Sequence, residues 1–246
     1  MTGPVALSVI IPTLNEAARL PRLLHAIRQQ AVQAEITVVD GGSSDDTVAI
    51  ATHAGVRVLH SPPGRGRQIG LGAAQARGPV LLFLHADTLL PPEALQRLCE
   101  RLDADRDLIG GNFRLLFDGG DRFSRWLNGF YRWIRLHGYY YGDSAVFVRR
   151  AAYDALGGIK PIALMEDYDF IRRMERCGRT CCIEDPPLVT SSRRFEGRHP
   201  AAIIWGWIKI HLLYHLGVGP DRLARIYDSG RALGHEPPRA PLSDQS

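Results

Sequence analysis

The run Val80-Leu81-Leu82-Phe83-Leu84 is apolar at every position, and it constrains the fold more than any other feature of the chain. A strand with one solvated face alternates polar and apolar side chains, whereas an unbroken apolar run belongs to a strand covered on both faces, as in a parallel sheet sandwiched between helices. The surrounding pattern agrees. Apolar, β-rich runs at Leu7 to Pro12, Glu35 to Asp40, Val56 to His60 and Val80 to Ala86 alternate with helical spacing, as at Leu20, Leu23, Leu24 and Ile27. This alternation predicts an α/β domain with a mostly parallel sheet and helices on both faces. Ser43 or Ser44 is placed to cap the helix after the second strand, with Asp45 and Asp46 in its first turn, and Pro92 to open another.

The second half is less regular. Strands are expected at Leu108 to Phe117, Ser144 to Val148 and Thr180 to Ile183, and helices near Phe123 to Leu136 and Glu166 to Cys177. A hydrophobic content of 45% over 246 residues is enough to bury a substantial core. The chain divides by pattern into an α/β domain over 1–198, an amphipathic helical extension over 199–235, and a Pro-rich polar tail over 236–246 that is expected to be disordered. A net charge of +4 is a small excess for this length and gives no reason to invoke nucleic acid. The start of the chain carries no cationic segment before its apolar run, which reads as a strand and not as a secretory signal. Cys99, Cys177, Cys181 and Cys182 have neither paired metal-binding spacing nor a disulfide framework, so a reducing, cytoplasmic setting is the expectation.

In an open α/β sheet, ligands bind in the crevice beyond the carboxyl ends of the strands. Asn15-Glu16, Asp40-Gly41-Gly42 and His85-Ala86-Asp87 follow three successive buried strands and should converge there. Asp40 can accept hydrogen bonds from a nucleobase or ribose, with glycines letting backbone approach closely; the alternative is an ordinary strand-to-helix turn. Asp87 is a hard oxygen ligand for Mg²⁺ or Mn²⁺ bridging a diphosphate, or a plain loop aspartate. Glu166-Asp167 opens a helix, where carboxylates serve either as caps on the macrodipole or as a general base facing the crevice. Arg65, Arg67 and Gln68, in Gly64-Arg65-Gly66-Arg67-Gln68, precede a small-residue helix over Gly70 to Ala76, and their side chains and amides can meet a diphosphate; solvation of a loop is the plainer reading. Arg193, Arg194 and Arg198 form a second cationic cluster, either closing over donor phosphates or lying on a solvated face.

Taken in order, Ser8-Val9-Ile10-Ile11-Pro12-Thr13-Leu14-Asn15-Glu16, Val38-Val39-Asp40-Gly41-Gly42-Ser43-Ser44-Asp45-Asp46-Thr47, His85-Ala86-Asp87 and Met165-Glu166-Asp167 closely resemble the family 2 glycosyltransferases over roughly residues 5 to 195. Leu82-Phe83-Leu84-His85-Ala86-Asp87-Thr88, Gly142-Asp143, Leu164-Met165-Glu166-Asp167 and Thr190-Ser191-Ser192-Arg193-Arg194 resemble a bacterial branch whose donors and acceptors are often unassigned.

The resemblance implies a GT-A fold with a mixed, mostly parallel sheet, and inversion at the anomeric carbon by single displacement. It implies that Pro12, Asn15, Glu16 and Ala86 lie beside the donor nucleotide, most naturally a UDP-sugar. Asp40 with Gly41 would meet its base or ribose, and Gly142-Asp143 the acceptor. Asp87 matches the last acidic residue of the family's metal-binding D-x-D motif, and Asp167 the general base with Glu166 beside it. The chain departs from the pattern at the first D-x-D position, which is His85. Imidazole is a good transition-metal ligand, so His85 either joins Asp87 on Mn²⁺ or packs against a neighbouring loop.

Residues 201–218 are apolar with Trp205, Trp207 and Tyr214 but include Lys209, His211 and His215, which disfavours a bilayer span. The segment suits a helix lying in a membrane interface, at the inner face of the cell membrane, or one buried against the catalytic domain or in a homodimer. The leading expectation is a metal-dependent glycosyltransferase acting on an acceptor hydroxyl. Nucleotidyl transfer to a sugar phosphate competes, but lacks a Gly-rich activating loop near the N-terminus; so does a catalytically silent, membrane-associated nucleotide-binding protein.

Overall fold

Four parallel strands form one half of the sheet in a computed structural model that describes residues 6–192, 195 and 199–232. They are β1 (Leu7–Thr13), β2 (Ala34–Asp40), β3 (Arg57–His60) and β4 (Val80–Phe83), with β1 between β2 and β4. All four residues of β4 are buried, and Leu81 and Leu82 have no exposed surface. β4 stops at Phe83, short of Ala86. Leu84 still donates to the Ile10 carbonyl, but Thr88 N–H then turns back to the carbonyl of His85.

The helices between these strands are α1 (Leu20–Arg28), α2 (Thr47–His53), α3 (Arg65–Gln75) and α4 (Ala94–Ala104). α1 buries Leu20, Leu23, Leu24 and Ile27, the positions whose spacing marked it. Two local readings need correction. α3 begins at Arg65, so Arg65 to Gln68 are its first turn and not a loop. Ser43 and Ser44 do not cap α2; they bond Asp40 and Asn15, while Asp45 accepts the Thr47 N–H at the helix start. α4 opens at Ala94, just beyond Pro91-Pro92.

Then come β5 (Leu108–Phe117), α5 (Arg122–Leu136), β6 (Phe147–Arg149), α6 (Arg150–Ala155), α7 (Glu166–Cys177) and β7 (Arg179–Thr190). The seven strands run in the order β3-β2-β1-β4-β6-β5-β7, with β6 antiparallel to both neighbours. The mixed, mostly parallel sheet is as the sequence led us to expect. β6 starts later than Ser144 because Gly142–Ser144 form a 3-10 turn and Ala145 adopts φ 52°. β7 extends past Ile183 to Thr190, taking in Leu188-Val189-Thr190, with a register shift opposite Phe113/Leu115. α3 and α7 bury Ile69, Ala73, Phe170, Ile171 and Met174 in one cluster with Ile10, Val39, Leu81 and Phe83 of the sheet.

The chain divides into two compact units, Met1–Ser192 and Arg193–Ser246. Within the second, α8 (Pro200–His215) and α9 (Pro220–Ala232) pair, burying Ile203, Ile210 and Leu223. Trp205, Ile208, Leu212 and Leu216 are more than half exposed, Trp207 packs edge-on against Phe195, and Tyr214 is half-buried. No helix among the described residues is long and apolar enough to cross a membrane. The expected disordered tail, 236–246, lies outside the described residues.

The register pairs Thr13 with Asp40 and Ile10 with Phe83, so β1 and β2 end level while β4 ends lower. His85-Ala86-Asp87 fills the step. Buried Gln68 closes the top, its side-chain amide donating to the carbonyls of Thr13 and Val39 at 2.8 Å each. Replacing Gln68 with Leu removes one donor from each of two buried carbonyls that keep a second, Gly41 N–H on Thr13 and the Thr13 hydroxyl on Val39, so we predict a loss of about 0.5–1.5 kcal/mol, read from urea unfolding; full wild-type stability would refute the clamp.

Candidate active site

The loops leaving β1 and β2 are laced together. Asn15, in the left-handed region at φ 56°, donates its N–H to Ser43 Oγ and accepts the Ser44 N–H on Oδ1 at 2.8 Å. Glu16 N–H donates to Thr47 Oγ1, and Ala17 N–H to Asp45. Pro12, beside this loop, pairs in register with Val39. Asp40 is buried, and its Oδ2 accepts the N–H groups of Gly42 and Ser43 while Oδ1 accepts the Ser43 hydroxyl. Burial pushes its carboxyl up, but the Ser43 and Gly42 bonds and nearby His60 outweigh that and hold it below the ordinary carboxylate range. Of roughly four acceptor positions on a carboxylate, these bonds fill three and leave one on Oδ1. Gly41 N–H is spent on the Thr13 carbonyl.

The step after β4 leads to a second cluster. Arg65, His85, Gly142 and Asp167 line a small, partly open cleft whose floor is Ile69, Phe83, Val146, Ile159, Phe170 and Ile171. Arg65 begins α3 and Glu166 begins α7. Arg65 Nε donates to Glu166 Oε1 at 2.6 Å across 101 residues of chain. Glu166 is buried, its Oε2 has no hydrogen-bond partner among the described residues, and burial raises its pKa against the pull of Arg65. Its neighbour Asp167 is held differently: Oδ2 accepts the Gly142 N–H at 2.8 Å and Oδ1 the Tyr168 N–H at 2.7 Å. A side chain on Gly142 would place its Cβ 3.1 Å from Asp167 Oδ2 and 3.5 Å from His85 Nε2, so Asp167 would have to give by a few tenths of an ångström to keep its place.

Burial and the Arg65 charge push the His85 pKa down, while Asp143, Asp87 and Asp167 pull it up; the net effect is a neutral imidazole. Glu16 faces Asp87 electrostatically, and burial with that repulsion raises its pKa despite the bond from Arg19. The two clusters therefore form one arc, from Asp40 through Asn15, Glu16 and Asp87 to His85 and Asp167. Ala86 is buried within it, and Arg67 is exposed on the first turn of α3. Asp143 is buried beside Gly142 and accepts from Tyr131 Oη at 3.2 Å. Tyr131 is absent from the sequence reading, because nothing in the spacing of α5 distinguishes a tyrosine aimed at the crevice from one on the helix surface. Gln68, read as a donor contact, has both amide hydrogens committed to the sheet. Arg193, Arg194 and Arg198 lie outside the described residues.

Among the described residues no three His, Cys, Asp or Glu side chains form a closed cage for a cation. His85 and Asp87, close to Glu16, fit the other common arrangement, in which one or two protein groups hold a divalent ion whose remaining ligands are phosphate oxygens and water. Three of the four non-glycine residues with positive φ among those described, Asn15, Ala145 and Met165, border this arc. Such strain persists where surrounding structure enforces a functional geometry.

Comparison with known proteins gives the family and the fold. The family profile of glycosyl transferase family 2 matches residues 8–154, more than half of the chain. An uncharacterized glycosyltransferase of Mycobacterium tuberculosis is 34% identical over 110 residues, covering 44% of this chain and 49% of that protein. Polyprenol monophosphomannose synthase of Mycolicibacterium smegmatis is 37% identical over 119 residues, 42% of this chain and 43% of the synthase. The chain thus matches about half the length of these curated relatives or less. Glucosyl-3-phosphoglycerate synthase from Mycobacterium tuberculosis, in complex with Mn²⁺, UDP-glucose and phosphoglyceric acid, superposes with a TM-score of 0.61 at 20% identity, covering 87% of this chain and 81% of that one.

The Asp40 carboxyl gives a direct test of the arc. Its folded pKa is depressed, so it contributes stability above its unfolded value near about 3.9, and that contribution is lost as pH falls through the lower folded value. Asp40→Asn is therefore predicted to flatten the fall in unfolding free energy between about pH 4 and pH 2; an unchanged acid limb in chemical denaturation would refute it. With the crevice at the strand ends, the ordered motifs from Pro12 to Asp167 and the profile match in agreement, the chain belongs to glycosyl transferase family 2.

Proposed function

We propose that the chain is an inverting glycosyltransferase that moves a sugar from a nucleoside-diphosphate sugar, UDP-linked by preference, to an acceptor with the aid of Mn²⁺ or Mg²⁺. The observation that carries this reading is the fixed carboxylate of Asp167 in the same cleft as His85 and Arg65. In this reading, residues 1–198 are the GT-A catalytic domain. Asn15, Glu16 and Asp40 hold the nucleoside, Asp40 through its remaining acceptor position. Asp87, with His85 in its neutral form, would hold the metal, which when bound supplies positive charge to the departing diphosphate. Arg65 adds a second positive charge from the first turn of α3.

Asp167 supplies the base. Held by two backbone N–H groups, it takes the proton of an acceptor hydroxyl as that oxygen attacks the anomeric carbon from the face opposite the diphosphate. The carbon–diphosphate bond breaks as the new glycosidic bond forms, and the diphosphate leaves with the electron pair. Glu166 positions Arg65 and stays out of the proton transfer.

The likeness to the mycobacterial polyprenol monophosphomannose synthase supports a second acceptor class, a polyprenyl phosphate. A phosphate oxygen is already anionic at neutral pH and needs no base, so the two classes differ in their demand on Asp167. The exposed apolar residues of α8 support a position at a membrane surface, on the cytoplasmic side.

For a hydroxyl acceptor, Asp167→Asn is expected to lower kcat by about 10²–10⁴-fold while donor affinity in calorimetry is retained. Full activity with a hydroxyl acceptor would eliminate the base; full activity confined to a polyprenyl phosphate would assign the second class. Asp87→Ala is expected to weaken UDP binding roughly tenfold or more in the presence of Mn²⁺, with little change in EDTA. Equal weakening under both conditions would remove Asp87 from the metal.

A further inference from the structure

α5 carries two faces of opposite purpose. Inward, Leu127 and Ile134 are buried, and Tyr131 reaches Asp143 beside the candidate site. Phe123, Trp126, Phe130, Trp133 and His137 form a ladder of rings at helical spacing, with centroids 4.7–6.2 Å apart, in which Phe123 and Phe130 are half-buried and Trp126, Trp133 and His137 face outward. Trp126, Trp133 and Leu136 are 44%, 57% and 79% exposed.

We propose that the outward face of α5 is a docking surface for an anionic lipid bilayer. Indole rings beside an exposed leucine favour the headgroup layer, where the ring is half desolvated and its N–H remains hydrated. Charge selects the occupant. Arg122, Arg125 and Arg132 are exposed, and no carboxylate among the described residues is within ion-pair distance of them. Arg125 and Arg132, two turns apart, line one side of the stripe. The acidic side chains at the head of the helix are used elsewhere: Asp121 caps Ser124, and Asp118 accepts from Ser192. A second copy of the chain docked about a two-fold axis would bring the same arginines together, whereas anionic headgroups neutralise them. Docking here sets the back of α5 on the lipid surface while its front holds Asp143. The glycosyl-transfer reading is not required for this proposal, but docking would bring a lipid-borne acceptor to that side of the cleft.

Sedimentation of the full chain with vesicles tests it, without donor or metal, so the outcome is independent of catalysis. Phosphatidylcholine vesicles containing phosphatidylglycerol should retain the protein and pure phosphatidylcholine should retain it far less, with added salt reversing the difference. Arg125→Gln/Arg132→Gln should lower anionic-vesicle affinity roughly tenfold at unchanged melting temperature, and Trp126→Ser/Trp133→Ser/Leu136→Ser should abolish binding. The wild-type tryptophan emission should shift to the blue on binding, less so in the triple variant. The proposal fails if the wild type ignores anionic vesicles, or if binding survives both α5 variants and disappears only in Trp205→Ser/Leu212→Ser on α8. It fails equally if, without lipid, the triple variant turns a dimer into a monomer in sedimentation equilibrium.

Discussion

A strand buried on both faces leaves no room for chemistry along its length, so functional groups must gather where it stops. β4 is such a strand, and its early end beside β1 sets the geometry of the crevice. The polar step His85-Ala86-Asp87 fits because β1 and β2 continue past it, and Gln68 braces the carbonyls those two strands present at their ends. The apolar floor of the cleft, built from Ile69, Phe83, Phe170 and Ile171, belongs to the same cluster as the core beneath it. Rigidity of the site is thus a property of the core.

Charge organises what the core supports. Asp87, Asp143 and Asp167 act on a neutral His85, with Arg65 as the opposing cation and Glu16 beside Asp87. An arrangement rich in carboxylates repels a bare diphosphate and attracts a divalent cation, which can then carry the diphosphate with it. Arg65 is held by Glu166, a carboxylate whose pKa burial raises and Arg65 pulls back down. The adjacent acids Glu166 and Asp167 have separate environments: one is buried against a guanidinium and structural, the other half-buried, held by amides and facing the cleft.

Much of this was legible in the residues. Unbroken apolar runs located β1 to β4, helical spacing gave the register of α1, and the ordered motifs located Asp40, Asp87 and Asp167. Other features were not. The start of α3 was read as a loop because Gly64-Arg65-Gly66-Arg67 has poor helix propensity, which packing overrides: Gly66 lies so close to the Lys160 carbonyl that a Cβ would be 2.4 Å away. The 3-10 turn before β6 and the left-handed Ala145 and Met165 carry no local signal, since alanine and methionine do not favour that conformation.

The sequence by itself determined the alternation of strand and helix, the side of the sheet on which polar residues emerge, and the family. These follow from periodicity and from the order of short motifs, which are local. Tertiary structure alone decided that Gln68 braces the sheet instead of facing a ligand, that Glu166 engages Arg65 while Asp167 takes the Gly142 amide, and that α5 turns tyrosine inward and tryptophan outward. Each of those choices depends on groups 25 or more positions apart, or on which side of a helix meets the sheet, and such information exists only once the chain is folded.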